Sequence, residues 1–112
     1  MSRITTHILD TSTGKPAAAV AVILYKEQPG EWIKIAEGIT NSNGRINEFG
    51  NDTGTSEAGV YKLEFRSGEY FKGSGVAGFY PVVEITFQIN AQDHYHVPLL
   101  LNPFGYSTYR GS

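Results

Sequence analysis

HYHVPLLLNPFGYSTYRGS, residues His94 to Ser112, closes the chain as two strands joined by a tight turn. The first, His94 to Leu101, alternates with period two. Tyr95, Val97, Leu99 and Leu101 share one face, and His94, His96, Pro98 and Leu100 share the other. Pro98 has no N–H to give a ladder, so it needs an unpaired position or a bulge. Asn102-Pro103-Phe104-Gly105 supplies turn chemistry, and Tyr106 to Ser112 reads as the partner strand. Tails are usually polar and expendable. This one gathers imidazoles, a phenol, a guanidinium, a hydroxyl and the terminal carboxylate at one end of the molecule.

Working back from the tail, the same punctuation recurs. Thirteen glycines and five prolines separate short β-rich runs, and no stretch sustains a helical period. Such a pattern argues an all-β sandwich or barrel. Ile4 to Asp10 is a strand with Ile4, Thr6 and Ile8 on one face and Thr5, His7 and Leu9 on the other. Ala17 to Lys26 is an unbroken apolar run, expected to be buried on both faces or central in its sheet. Trp32 to Ala36, Arg45 to Phe49, Gly59 to Arg66 and Val82 to Asn90 complete eight strands with the two at the end. Tyr61, Leu63 and Phe65 point inward from one of these, and Val83, Ile85, Phe87 and Ile89 from another. Ser67 to Gly75 is the helix candidate, kept short by its glycines. Gly50 to Ala58 is polar and expected to be a mobile surface loop.

Residues 1–112 fit one domain with one core. A hydrophobic content of 40% against 18% charge marks a folded chain. The formal net charge is −2, which offers no footprint for nucleic acid or an anionic membrane. Cysteine is absent, excluding disulfides, thiol nucleophiles and thiolate metal sites. The longest apolar run is too short to span a bilayer. Met1-Ser2-Arg3-Ile4 lacks the form of a signal peptide, so a cytoplasmic location is expected.

Two imidazoles stand on strand faces that the core does not claim. His7 lies opposite Ile4 and Ile8, and His96 opposite the Tyr95/Val97/Leu99 row. A lone histidine there is most often an ordinary surface residue. Both strands, however, hold few other titratable groups, and histidine titrates where acid–base catalysis needs it. His94 and His96 also share a face and, with His7, offer three nitrogen ligands, though without the spacing of a zinc motif. Arg45 follows Gly44 at the start of a strand and is either a solvated turn residue or a clamp on an anionic or carbonyl-rich ligand. Arg110 could serve as an edge-strand charge. That leaves Gly111 and the small terminal residue unexplained.

These residues carry a resemblance. His7-Ile8-Leu9-Asp10-Thr11-Ser12-Thr13-Gly14-Lys15-Pro16-Ala17, the Thr40 to Arg45 turn, Tyr95 to Leu101 and Gly105 to Ser112 resemble the signatures of the transthyretin-related 5-hydroxyisourate hydrolases of urate breakdown. The Tyr109-Arg110-Gly111-Ser112 ending separates those enzymes from transthyretin. The resemblance spans essentially the whole chain, with small departures at Asn102 and Val82. It implies a transthyretin-like sandwich of two four-stranded sheets with one short helix, assembled as a homotetramer, a dimer of dimers. The first, fourth, seventh and eighth strands would share a sheet. His7, His96, Arg45 and Tyr109 would then project from its outer face, covered by the opposing dimer.

The implied reaction is hydrolysis of 5-hydroxyisourate to 2-oxo-4-hydroxy-4-carboxy-5-ureidoimidazoline. His7, Arg45, His96 and Ser112 are the expected catalytic residues. His7, Arg45, Tyr109 and Arg110 are the expected substrate contacts. No metal or other cofactor is required. Two rival readings are a transthyretin-like carrier of hydrophobic hormones and a bare β-sandwich adhesion or carbohydrate-binding module.

Overall fold

The computed structural model describes residues 4–49, 57–90 and 93–111. Ser112 and positions 50–56 of the expected loop lie outside these described residues. Among the described residues there are nine strands, arranged in two sheets, and one helix. In chain order they are β1 (Ile4–Asp10), β2 (Lys15–Pro16), β3 (Ala21–Gln28), β4 (Glu31–Ile39), β5 (Arg45–Ile46) and β6 (Gly59–Phe65). After these come α1 (Ser67–Gly73), β7 (Val83–Ile89), β8 (Tyr95–Asn102) and β9 (Gly105–Thr108).

The first sheet runs β2-β1-β8-β9, with β5 also paired to β1, and the second runs β4-β3-β6-β7. β1 and β8 are parallel, from Ile4↔Tyr95 to Asp10↔Leu101. The other pairings are antiparallel. The expected grouping of strands is therefore met, with one addition. The two-residue β2 and β5 take different stretches of the same β1 edge. Leu9 and Asp10 pair with Pro16 and Lys15, and Thr6 and His7 with Ile46 and Arg45.

The core lies between the sheets. Ile4, Ile8, Val97, Leu99 and Leu101 from the first meet Val22, Leu24, Tyr61, Leu63 and Phe65 from the second, all buried. Burying one such side chain stabilises by roughly 1.5–3 kcal/mol. Even this small molecule therefore holds its register firmly, because a slip by one residue would turn every apolar side chain outward.

Three boundaries differ from the sequence expectation. The second long strand begins at Ala21, not Ala17. Ala17 and Val20 are buried where the chain crosses from one sheet to the other, with Ala19 at φ 62°. The apolar run is thus explained by a crossover followed by a strand central between β4 and β6. Trp32 to Ala36 lengthens to Glu31–Ile39, with a register shift against β3 at Leu24/Tyr25. Arg45 to Phe49 shortens to Arg45–Ile46, although Phe49 is still fully buried. The helix forms inside its expected span and buries Phe71.

Pro98 finds the gap it needs. The β8–β9 ladder stops at Leu99↔Thr108 and resumes as an isolated bridge at His96↔Gly111. Within the gap the Thr108 hydroxyl donates to the Pro98 carbonyl at 2.7 Å.

Candidate functional site

Sheet register alone builds the site. His7 pairs with Arg45 on β5 and with Pro98 on β8. Thr5, two residues earlier and on the same face, pairs with His96, which in turn bridges to Gly111. Extending the β1–β5 register by one residue sets Asn47 opposite Thr5, and extending β8–β9 sets Tyr109 opposite Pro98. Two parallel rows result across four strands: Arg45–His7–Pro98–Tyr109 and Asn47–Thr5–His96–Gly111. Together with His94 at the mouth of β8, these residues line a concavity of about 330 Å³ on the outer face of the first sheet.

Local sequence explains why each element reaches its place. The turn before β5 is tied by Asn41, whose side-chain oxygen accepts the N–H groups of Asn43 (2.9 Å) and Arg45 (3.0 Å). Asx turns of this kind favour such residues. Gly44 adopts φ +74° and presses on β1, its carbonyl accepting the Ile8 N–H at 2.8 Å. A Cβ there would meet the Ile8 carbonyl oxygen at 2.5 Å, so only glycine brings Arg45 beside His7. At the other edge Gly111 donates its N–H to the His96 carbonyl at 2.8 Å. A Cβ on Gly111 would stand 2.7 Å from His96 Cδ2 and 3.1 Å from Pro98 Cγ. Gly111 thus lets the last segment close over His96.

The imidazoles form a stack. His7 and His96 lie 5.8 Å apart at 15°, and His94 and His96 lie 6.4 Å apart at 27°. The Thr5 hydroxyl sits 2.8 Å from both His94 Nε2 and His96 Nδ1. His7 Nδ1 is buried and, among the described residues, has no hydrogen-bond partner. Burial first, and the Arg45 cation second, hold His7 below the usual imidazole range. His96 is lowered by burial, then by His7, Arg45 and His94. Both rings are thus biased to the neutral form at neutral pH, which can accept a proton. Arg45 itself is exposed.

His7, Arg45, His96 and Tyr109 are brought together as expected. Arg110 is not. Side chains alternate along the tail, so it falls on the opposite side from Tyr109 and lies over the Tyr95 ring, 4.5 Å from its centroid. In one chain it therefore stands apart from the His7–Arg45 concavity, whose lining includes Tyr109. Ser112, the remaining expected catalytic residue, lies outside the described residues. Thr5 and Asn47 were missed by sequence reading. The signal was their i±2 relation to His7 and Arg45, which marks a shared face but not a shared cavity. His94, His96 and His7 come near one another, yet among the described residues no group of three His, Cys, Asp or Glu is placed to hold a metal ion. Among the same residues no helix is long and apolar enough to cross a membrane.

A Schizosaccharomyces pombe protein described as a probable 5-hydroxyisourate hydrolase is 49% identical, over 97% of this chain and 90% of its own length. The structure of Klebsiella pneumoniae 5-hydroxyisourate hydrolase superposes with a TM-score of 0.85 at 40% identity, covering 97% of this chain and 98% of that one. Sea bream transthyretin in complex with thyroxine superposes with a TM-score of 0.90 at 33% identity, covering 97% and 94%. The family model described as Transthyretin: HIUase/Transthyretin family matches residues 4–111. With its sandwich, its two-row outer face and these likenesses, the chain belongs to the HIUase/Transthyretin family.

Proposed function

We propose that this protein hydrolyses 5-hydroxyisourate, opening its six-membered ring to 2-oxo-4-hydroxy-4-carboxy-5-ureidoimidazoline in urate catabolism. The observation that carries this reading is the stacked His7–His96 pair beside Arg45 in one polar concavity. A site of this kind suits amide hydrolysis better than capture of an apolar ligand. One imidazole removes a proton from water as the water oxygen bonds to the ring carbonyl. Arg45 supplies N–H donors to the oxyanion that develops. The carbon–nitrogen bond then breaks, the ring nitrogen takes the proton, and a carboxylate is left. Tyr109 hydrogen-bonds the substrate, and Ser112 fixes the histidines or the water. No step requires a metal or an organic cofactor.

The concavity is open to solvent in one chain, with Tyr109 57% exposed. Assembly as a homotetramer, a dimer of dimers, would cover this face and exclude water, strengthening every charge interaction inside.

The likeness to a transthyretin bound to thyroxine supports a second reading, a carrier of hydrophobic hormones. One experiment separates them. Purified protein is added to freshly generated 5-hydroxyisourate and the ultraviolet absorbance is followed, beside a thyroxine-binding titration. The hydrolase reading expects faster decay and weak thyroxine binding. Unaccelerated decay with tight thyroxine binding would favour the carrier.

A further inference from the structure

Thr5 is 2% exposed, and its hydroxyl stands between two imidazole nitrogens at 2.8 Å each. A threonine hydroxyl has one hydrogen to give and two lone pairs to receive. It can donate to one ring only, so at least one of His94 and His96 must donate to it. Where the hydroxyl donates to the other ring, the bridge is a chain with a direction, and the two directions place the His96 proton on different nitrogens. His94 is exposed and can exchange protons with water, whereas His96 lines the concavity.

Resting on the hydrolase reading, the geometry points to a Thr5–His94 relay that fixes the tautomer of His96. In the resting chain His96 Nδ1–H donates to Thr5 Oγ1, and the Thr5 O–H donates to His94 Nε2. His96 Nε2 then holds the lone pair, which makes His96 rather than His7 the base that activates water. When Nε2 takes a proton from the attacking water, the Nδ1 proton passes to Thr5 and the Thr5 proton passes to His94 Nε2. His96 becomes a neutral Nε2–H donor, ready to protonate the leaving nitrogen, and the positive charge rests on His94 at the solvent edge. As that nitrogen takes the Nε2 proton, the relay proton returns from His94 through Thr5 to His96 Nδ1, so His96 never loses both ring protons and the starting state is restored. No proton is gained or lost over the cycle beyond those of water and substrate. Thr5 and His94 are positioning residues here, acting on substrate through His96. Read from sequence, His94 is only a weak metal-ligand candidate, and Thr5 has no assigned role.

The test has two readouts. Long-range proton–nitrogen NMR of the imidazoles, recorded without substrate, reports which His96 nitrogen is protonated. The rate of 5-hydroxyisourate decay reports function. The parent should show His96 protonated at Nδ1. Thr5→Val should shift the population toward Nε2–H and lower kcat by about 10- to 100-fold, at the lower end of what a mispositioned acid–base group costs. Thr5→Ser should restore both readouts. His94→Leu, on an exposed side chain that the core does not need, should lower kcat in the same direction and covers the case in which Thr5→Val fails to fold. A parental His96 protonated at Nε2, or a folded His94→Leu variant with the parental tautomer and rate, would overturn the relay. A parent that leaves 5-hydroxyisourate untouched contradicts the hydrolase reading instead, while the NMR readout still decides the bridge.

Discussion

The two ends of β1 both bury polar groups, and they treat them in opposite ways. At its end, Asp10 is 3% exposed and fully engaged. One carboxylate oxygen accepts the Ser12 N–H (2.9 Å) and hydroxyl, and the other accepts the Tyr70 hydroxyl at 2.8 Å. These bonds outweigh burial and pull its pKa below the usual carboxylate value. Tyr70 is raised to about 12 by burial and by the same carboxylate. At the beginning of the strand, Thr5 and His7 meet His94, His96 and Arg45, and one imidazole nitrogen is left without a partner among the described residues. A satisfied cluster rigidifies a fold, whereas an unsatisfied one is costly and persists where chemistry uses it. The Asp10 end pins α1 to the first sheet. The Thr5 end lines the outer-face concavity.

The contrast can be broken from either side. Deleting Tyr109 to Ser112 is expected to have the largest effect. It removes one wall of the concavity and the Gly111 bridge to His96. Activity should vanish while circular dichroism still reports a folded sandwich, since Tyr109 and Arg110 are exposed. An unfolded truncant would make the tail structural. Arg45→Glu comes next. Losing an oxyanion donor costs about 100- to 1,000-fold in kcat, and reversing the charge should cost at least that. Thermal unfolding should be little changed, as Arg45 lies on the surface.

At the other end, Asp10→Asn should do the reverse. Asparagine offers one acceptor oxygen and an NH2 group, so either Ser12 or Tyr70 faces a donor. Charged hydrogen bonds of this type contribute about 1.5–3 kcal/mol, which denaturant unfolding would resolve. Turnover should stay near parental. A variant that keeps its stability but loses activity would erase the distinction between the two ends.

The smallest effects are those of pH. His7 and His96 sit below the usual 6.5. They therefore stay neutral to lower pH, and the acid limb of kcat/KM should have its midpoint below 6.5. The same depression means that the unfolded chain binds protons first as pH falls, so stability should also decline as pH drops from 6.5 through the folded values. Asp10 is depressed from 3.8. Its contribution is present above 3.8 and is lost as pH falls through its folded pKa. A kcat/KM limb above 6.5 would show that the imidazoles are not held neutral in this way.

Most of the fold was legible in the sequence because period-two alternation reports strand faces directly. Tyr61, Leu63 and Phe65 point inward as read, and so do Tyr95, Val97, Leu99 and Leu101. The beginning of β3 was not legible. Ala17 and Val20 are buried at the two ends of a crossover whose middle, Ala18 and Ala19, is exposed, and in sequence such a crossover leaves the same apolar run as a strand. Faces also told which residues could join His7 and His96, yet not which would touch. Contact required the parallel β1–β8 register, which sets Thr5 beside His96 across 91 residues of chain. Alternation implied that Arg110 opposes Tyr109.

The most direct test of the whole account pairs His96→Ala with Asp10→Asn and measures kcat for 5-hydroxyisourate and the unfolding midpoint for each. Loss of roughly 100- to 10,000-fold in kcat with the midpoint kept is the expected result for His96→Ala, against a lowered midpoint with kcat kept for Asp10→Asn. A His96→Ala protein that is folded and turns over at the parental rate would contradict the claim that chemistry resides at the Thr5 end of β1.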